Sequence, residues 1–388
     1  MKDVTISANV IYIGVDDKEL DLFESQYDVP NGMAYNSYVI LDEKIAVMDT
    51  VDHRFTDEWL ANLEAALGGK APDYLIVDHV EPDHSGSIAA LVAKYPEITL
   101  VGNAKTFVFL GQFYPALTGY KSMTVKEGET LCLGSHTLSF IMAPMVHWPE
   151  VMMTYEASEK LLFSADAFGK FGTLDTDEDW ACEARRYYFN ICGKYGVQVQ
   201  AVLKKAAALE IEKILPLHGP LLKENLSYYV GLYNTWSKYE PENKGIFIAC
   251  SSIHGNTLAA AEKLKEMLET RGAEKVSLSD ITRDDMAEAI EDAFRYDRLV
   301  LMSSSYDGGV FPVMEDLLCH LKAKGYQSRS VAIVENGSWA PSAGRVIKSY
   351  VEQMKNITLI EPVVTIKSTL NAESEAKLAE LADALTGK

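Results

Sequence analysis

Four side chains able to bind a metal fall within six residues of one another: His79, Glu81, Asp83 and His84, in the run Tyr74-Leu-Ile-Val-Asp-His-Val-Glu-Pro-Asp-His-Ser-Gly-Ser. The apolar stretch Tyr74–Val77 reads as a buried strand, and Pro82 with Ser85-Gly86 keeps the segment after it from being an ordinary solvated helix face. Imidazoles and carboxylates gathered at a strand end are what a metal site needs. Three further residues have a similar setting. His147 follows the strand Thr137–Met142 through Ala-Pro-Met-Val and precedes Trp148-Pro149; Asp166 stands just past the strand Leu161–Ser164; His218 follows Ile214-Leu-Pro-Leu and precedes Gly219-Pro220. Taken singly, each has a plain structural explanation. A His after a strand is commonly a hydrogen-bonded structural residue, and Asp166 could cap a helix starting at Ala167. The recurrence of a polar residue where an apolar strand runs out argues for one shared site. Four of the eight histidines do this, whereas His53, His136 and His320 lack such a context and are expected to be structural or on the surface.

Four imidazoles and three carboxylates are too many for one tetrahedral zinc and suit two metals. Imidazole with carboxylate and no thiolate fits iron, manganese or zinc and excludes an iron–sulfur cluster. Two adjacent metals need a bridging carboxylate, and Asp166 is the natural one. Trp148 and Tyr35 are candidate pocket residues.

A second kind of chemistry is written at Cys250-Ser-Ser252-Ile253-His254-Gly255-Asn256-Thr257, where a strand turns into a helix. Hydroxyl, amide and backbone N–H groups at such a turn bind phosphate, because a helix N-terminus presents unpaired donors and the positive end of its dipole. With no Lys or Arg in the loop, the phosphate would be held by neutral donors. The loop is neither G-x-x-x-x-G-K-[ST] nor G-x-G-x-x-G, which argues against ATP and ordinary dinucleotides. The plainer reading, an N-capping turn, loses ground in the first strand-to-helix turn of a doubly wound sheet, where ligands sit at the carboxyl ends of the strands. Two later strand ends supply small-residue loops with one aromatic each. One carries Ser304, Ser305, Tyr306, Asp307 and Gly308; the other carries Asn336, Gly337, Ser338 and Trp339. Such loops suit a flat ring system, with Tyr306 and Trp339 as ring contacts.

The elements that must position these residues form two blocks. At roughly 150 residues per domain, 388 residues predict two domains. The polar, Pro-containing stretch Trp236–Lys244 predicts the boundary, giving domains 1–243 and 244–388. After it, strands at Gly245–Cys250, Val276–Ser279, Leu299–Ser303, Val331–Glu335 and within Ile357–Ile366 alternate with helices such as Thr257–Arg271 and Asp284–Phe294. The second of these helices is expected to be capped near Thr282 or Asp284. This pattern predicts a five-stranded, doubly wound parallel sheet. Before the boundary, a hairpin is expected at Ser37–Leu41 and Lys44–Asp49, and a second strand pair at Val151–Tyr155 and Leu161–Ser164. Helices at Thr56–Leu67 and Ser87–Lys94 complete an α+β or αββα sandwich.

Composition narrows the function classes. A net charge of −20, from 36 basic and 56 acidic residues, opposes binding to nucleic acid. Hydrophobic content of 48% with 24% charged residues is that of a globular chain. No apolar run reaches the roughly 18 residues of a membrane span, and the start lacks the apolar core of a secretory signal. Cys132, Cys182, Cys192, Cys250 and Cys319 are scattered and form no C-x-x-C pair, which argues against disulfides, a Cys-ligated zinc site or a rubredoxin-type module. A reducing cytoplasm is the expected setting.

The ordered set His79-x-Glu81-x-Asp83-His84 … His147 … Asp166 … His218 resembles the metal motif of the metallo-β-lactamase fold, with Glu81 where that fold carries His. In this it is similar to the flavodiiron proteins (A-type flavoproteins), whose metallo-β-lactamase-like diiron domain precedes a flavodoxin-like domain. His147-Trp148-Pro149 and His218-Gly219-Pro220 also look like that family's local motifs, and the stretch from Ser252 to Thr257 resembles the flavodoxin phosphate loop. The resemblance covers nearly the whole chain. It implies that His79, Glu81 and His147 hold one iron, that Asp83, His84 and His218 hold the other, and that Asp166 bridges them. It implies FMN in the second domain, with electrons passing from rubredoxin or a reduced deazaflavin through FMN to the irons. The implied activity is reduction of dioxygen to water, of nitric oxide to nitrous oxide, or both. It further implies a head-to-tail homodimer or a dimer of dimers, in which each FMN faces the partner's irons. The competing reading is a zinc hydrolase of the metallo-β-lactamase fold with a flavodoxin-like interaction module. Glu81 in place of His counts against it.

Overall fold

The computed structural model describes residues 4–388. The chain divides into two compact units. One runs to Tyr188 and resumes over Val197–Asn234; the other comprises Phe189–Gly196 and Thr235–Lys388.

The first unit is an αββα sandwich built on two sheets. The six-stranded sheet has the order Val10–Tyr12, Tyr38–Ile40, Ala46–Met48, Tyr74–Ile76, Thr99–Gly102, Lys121–Thr124. The five-stranded sheet runs Thr130–Cys132, Thr137–Met142, Met152–Glu156, Leu161–Phe163, Lys213–Leu215. Period-two alternation directs Tyr38 and Ile40, Ala46 and Met48 from one sheet, and Leu138 and Phe140, Leu161 and Phe163 from the other, into a single buried cluster. That shared core sets the sheets face to face, so the loops at the strand ends hang from a rigid support. Both expected hairpins are present as antiparallel pairs, Tyr38–Ile40 with Ala46–Met48 and Met152–Glu156 with Leu161–Phe163. The helix Thr56–Leu67 buries Trp59, Leu63 and Leu67, one stripe at a spacing of four.

The second unit is a flavodoxin-like domain. Five parallel strands take the order Val276–Asp280, Asn243–Ser251, Tyr296–Tyr306, Ser330–Asn336, Thr358–Ile366, with the short Gly309–Val310 antiparallel to the third in sequence. This 2-1-3-4-5 order puts the topological switch point between the first and third strands. Ile246, Ile248, Val300, Met302, Ala332 and Val334 pack on one face against Ala260, Leu264 and Leu268 of the helix Asn256–Thr270 and Leu378 and Leu381 of the helix Ala372–Thr386. Two details differ from expectation. The helix expected from Asp284 begins at Met286, because Asp285 accepts from the backbone of Ala287 and so takes the cap, while Asp284 accepts from Ser279 and Asp280 instead. The segment Phe189–Gly196, far from the second unit in sequence, packs into it: the Phe189 ring stacks on Phe294 at 4.4 Å, and Asn190 donates to the carbonyl of Ala287.

Candidate metal centre and flavin pocket

Four loops carry the seven metal-ligand candidates, each fixed by backbone bonds. The strand Tyr74–Ile76 runs into Asp78 and His79, whose N–H groups both donate to Asp49 Oδ1, at 2.9 and 3.2 Å. A four-residue helix, Pro82–Ser85, with proline in its first turn then brings His84 inward, and the His84 carbonyl accepts from both the N–H and the hydroxyl of Thr50. His147 lies in a turn closed by Val146 N–H donating to Ala143. Asp166 sits in a tight turn with Ala165 and Phe168 at positive φ, and no helix begins at Ala167, so its capping explanation falls away. His218 is held because Leu217 donates to Ala165, while Asn36 donates to the carbonyls of Pro216 and Gly219. Gly219 has φ +73°, and a Cβ there would come within 2.7 Å of Lys170 Cγ, so glycine is required beside this ligand.

The seven side chains converge. His79, Glu81, His147 and Asp166 form one group and Asp83, His84 and His218 another, each compact enough to enclose one ion. Asp166 joins them. Its Oδ2 lies 3.0 Å from His147 Nε2 and 3.6 Å from His79 Nε2, whereas its Oδ1 lies 3.1 Å from His84 Nε2 and 3.7 Å from His218 Nε2. Glu81 Oε2 is 3.1 Å from both His79 and His147, and Asp83 Oδ2 is 3.3 Å from His84 and 3.4 Å from His218. His79, His84 and His218 are fully buried.

Asp83 Oδ1 is buried without a partner, and Asp83 Oδ2 and Asp166 Oδ1 face imidazole nitrogens alone, at 3.1–3.7 Å. Orphaned carboxylate oxygens are costly, and a cation between the groups would satisfy them. The donor set of imidazole and hard carboxylate oxygen fits two iron-type cations. The carboxylates and imidazoles also hold each other's charges. Burial opposes ionisation of Asp166 and Glu81, but the facing imidazoles outweigh it and hold both carboxyls below the usual carboxylate range. Burial likewise pushes His147 down, yet its bonds to Asp166 and Glu81 prevail and raise it to about 9. The structure also brings Trp148 to the site, its ring 5.3 Å from that of His79, and Tyr35, whose ring is 6.0 Å from that of His218. Glu150, overlooked in the sequence, hydrogen-bonds His79 Nδ1 at 2.8 Å. Its only linear signal is its place three residues past His147. His136 is elsewhere, buried between Asp42 and Glu159.

In the second unit, a cavity of about 520 Å³ opens at the carboxyl ends of the strands. Ser252, Ile253, His254, Asn256 and Thr257 line one wall. Ser304, Ser305, Tyr306, Asp307 and Gly308 form a second, and Asn336, Gly337, Ser338 and Trp339 a third. Gly255 does not line the cavity; at φ +85° it makes the turn into the helix Asn256–Thr270, whose N-terminus has no side-chain cap. The first turn of that helix therefore offers free N–H groups to the cavity, and Ser252 Oγ is buried without a partner. These donors fit an FMN phosphate. Thr257 Oγ1 is 3.0 Å from Ser304 Oγ and accepts from Asn336 at 3.2 Å, which ties the three walls together. Trp339 is 92% exposed and Tyr306 45%, both at the rim of the cavity. Ala340, Ser342 and Ser368 also line the cavity. Ser368 lies past the fifth strand, where Lys367-Ser-Thr carried no aromatic to mark it.

Fold and sites together define a two-unit metalloprotein with a β-lactamase-type metal domain and a mononucleotide cradle. Residues 33–219 match the family model described as ODP family beta lactamase. The chain is 28% identical over 349 residues to the anaerobic nitric oxide reductase flavorubredoxin of Vibrio vulnificus, covering 87% of this chain and 70% of that protein. It superimposes on the rubredoxin oxygen:oxidoreductase of Desulfovibrio gigas with a TM-score of 0.91 at 23% identity, over 99% and 97% of the two chains. The flavodiiron protein of Giardia intestinalis gives 0.89 at 24%, over 100% and 96%. The chain belongs to the flavodiiron protein family. Among the described residues, no helix is long and apolar enough to cross a membrane.

Proposed function

We propose that the chain is an oxidoreductase that reduces dioxygen to water, nitric oxide to nitrous oxide, or both, using electrons from an external donor, rubredoxin or a reduced deazaflavin, in the cytoplasm. The observation that carries this reading is the convergence of four imidazoles on the two oxygens of Asp166, with Glu81 and Asp83 beside them and Asp83 Oδ1 buried without a partner. The names of the Vibrio vulnificus and Desulfovibrio gigas relatives, a nitric oxide reductase and an oxygen:oxidoreductase, support both gases.

Residues 1–243 would hold the metals. His79, Glu81 and His147 take one iron, Asp83, His84 and His218 take the other, and Asp166 offers one oxygen to each. Residues 244–388 would hold FMN. Ser252, Asn256, Thr257 and the helix N-terminus take its phosphate, while Tyr306 and Trp339 clasp its ring. When bound, FMN would supply single electrons and the irons a reducing centre for a diatomic gas. The part of the chain is positional. Backbone bonds at Asp49, Thr50 and Ala165 set the imidazoles before any metal arrives, and full burial of His79, His84 and His218 keeps bulk water away from them. Glu81, a hard anionic donor, favours iron over zinc.

Metal analysis followed by anaerobic reduction and separate dioxygen and nitric oxide consumption assays tests the reading. Two irons per chain and consumption well above that of free flavin are expected; zinc without iron, or no consumption of either gas, overturns it. A head-to-tail homodimer with each flavin facing the partner's irons is part of the proposal. Mixed dimers of a His79→Ala/Asp166→Ala chain with a Thr257→Ala/Asn256→Ala chain should regain activity that neither parent has. Mixed dimers that stay inactive would exclude transfer between chains.

A further inference from the structure

The two ligand groups match in kind, each with two imidazoles, one carboxylate of its own and a share of Asp166. They differ in what stands behind the imidazoles. His79 Nδ1 is 2.8 Å from Glu150 Oε1, and both side chains are buried. On the other side, His218 Nδ1 donates to the neutral carbonyl of Ala34 at 2.8 Å, and His84 Nδ1 has no partner. Glu150 is fastened at three points. Its Oε1 also accepts from the N–H of Val80 at 3.1 Å, its backbone carbonyl accepts from the Asn103 side chain, and Pro149 precedes it. Its Oε2 is buried and unpaired.

Building on the two-metal reading above, we propose that Glu150, acting through the imidazole of His79, ranks the two metal positions and makes the His79–Glu81–His147 position the one that fills first and binds more tightly. A carboxylate accepting from Nδ1–H fixes the tautomer that aims the Nε2 lone pair at the metal and makes the ring a stronger donor. A carbonyl does this less, because it brings no net charge. Glu150 also sets a buried carboxylate with an unpaired oxygen directly behind a ligand imidazole, and a cation across that ring offsets it. Among the described residues, no carboxylate hydrogen-bonds Nδ1 of His84 or His218. Glu150 is thus a positioning residue that touches neither metal nor gas.

The test uses metal-free full-length protein and Co²⁺, followed by its visible absorption and by stoichiometry. Wild type should bind two Co²⁺ in separate steps, and anomalous diffraction from crystals given one equivalent should locate it among His79, Glu81 and His147. Glu150→Gln should weaken the first step by about 10–100-fold, the range for losing such a partner, and leave the second step in place. Glu150→Asp, which keeps the charge, should restore part of the loss. In a His84→Ala background one Co²⁺ should remain, and adding Glu150→Gln should weaken that one by the same factor. Equal filling, first occupancy among Asp83, His84 and His218, or equal weakening of both steps would overturn the ranking while leaving the two-metal reading intact. Fewer than two Co²⁺ per wild-type chain at saturation would overturn both. The diffraction result needs no variant, so a poorly folding mutant does not shield the proposal.

Discussion

The metal centre and the flavin cavity solve opposite physical problems. The first gathers charged groups from four loops of two sheets into a buried point, where three of the candidate histidines are fully inaccessible. The second is an open cradle of hydroxyls, amides and backbone N–H groups with no lysine or arginine among its lining residues. A small, highly charged ion rewards prepaid placement of ligands in a low-dielectric interior, where unpaired oxygens are costly until the ion arrives. A large flat ligand with one phosphate needs area and a few neutral donors, and its own bulk completes the burial. The two sites should therefore fail independently and by different amounts.

The largest separation is expected from Asp166→Ala, which removes an oxygen from both ligand groups at once. Metal affinity should fall by more than the roughly 100-fold of a change behind the ligands, while flavin content stays as in wild type. Metal analysis and the flavin absorption spectrum of the same preparation check this; loss of flavin along with metal would break the independence of the sites. The converse variant, Thr257→Ala with Asn256→Ala, should weaken FMN binding by about 30–150-fold, the sum of two hydrogen bonds of about 1–1.5 kcal/mol, and leave the irons bound. Fluorescence titration of flavin-free protein reads it, and unaltered affinity would mean that the phosphate lies elsewhere. Glu81→His sharpens the comparison within the metal site. It should shift the zinc-to-iron ratio toward zinc by about tenfold, or about 1.4 kcal/mol, with FMN unaffected.

The smallest effect is expected at His136, which lies in neither site. Burial lowers its pKa, but the bonds to Asp42 and Glu159 outweigh this and raise it above the ordinary value near 6.5. A raised folded-state pKa contributes stability in full below about pH 6.5 and loses it as pH climbs through the folded value. Wild type should exceed His136→Gln by about 1 kcal/mol at pH 6 and by less at pH 9, as read from denaturation midpoints. A difference that grows with pH would reverse the sign and exclude a charged His136.

Much of the candidate metal site was legible because His79, Glu81, Asp83 and His84 share one strand-end loop, and because the remaining candidates also sit where apolar runs stop. The proposed phosphate loop was legible for the same reason: a strand-to-helix turn is a local event with a local signature. Glu150 was not. Its proposed role depends on a hydrogen bond spanning 71 residues, and its place three residues past His147 does not by itself distinguish it from a surface acid. Ser368 was hidden likewise, since its bonds to Asn336 and Ser338 cross 32 and 30 residues. Phe189–Gly196 reads as part of the first block, and its packing with Phe294 and Ala287 follows from a tertiary contact that no periodicity encodes.

The sequence by itself determined which chemistry is available: imidazoles and carboxylates without thiolate, a neutral phosphate turn, and two blocks with the periodicities of a mixed sandwich and a parallel sheet. The family resemblance already implied how the candidates divide into two groups; only the tertiary structure decided which oxygen of Asp166 faces each, and that the His79 imidazole has the Glu150 carboxylate bonded behind it. Donor type and strand pattern are properties of neighbouring residues. The partition depends on where the ends of strands from two different sheets meet, and that is set by a core whose contacting residues lie far apart in the chain.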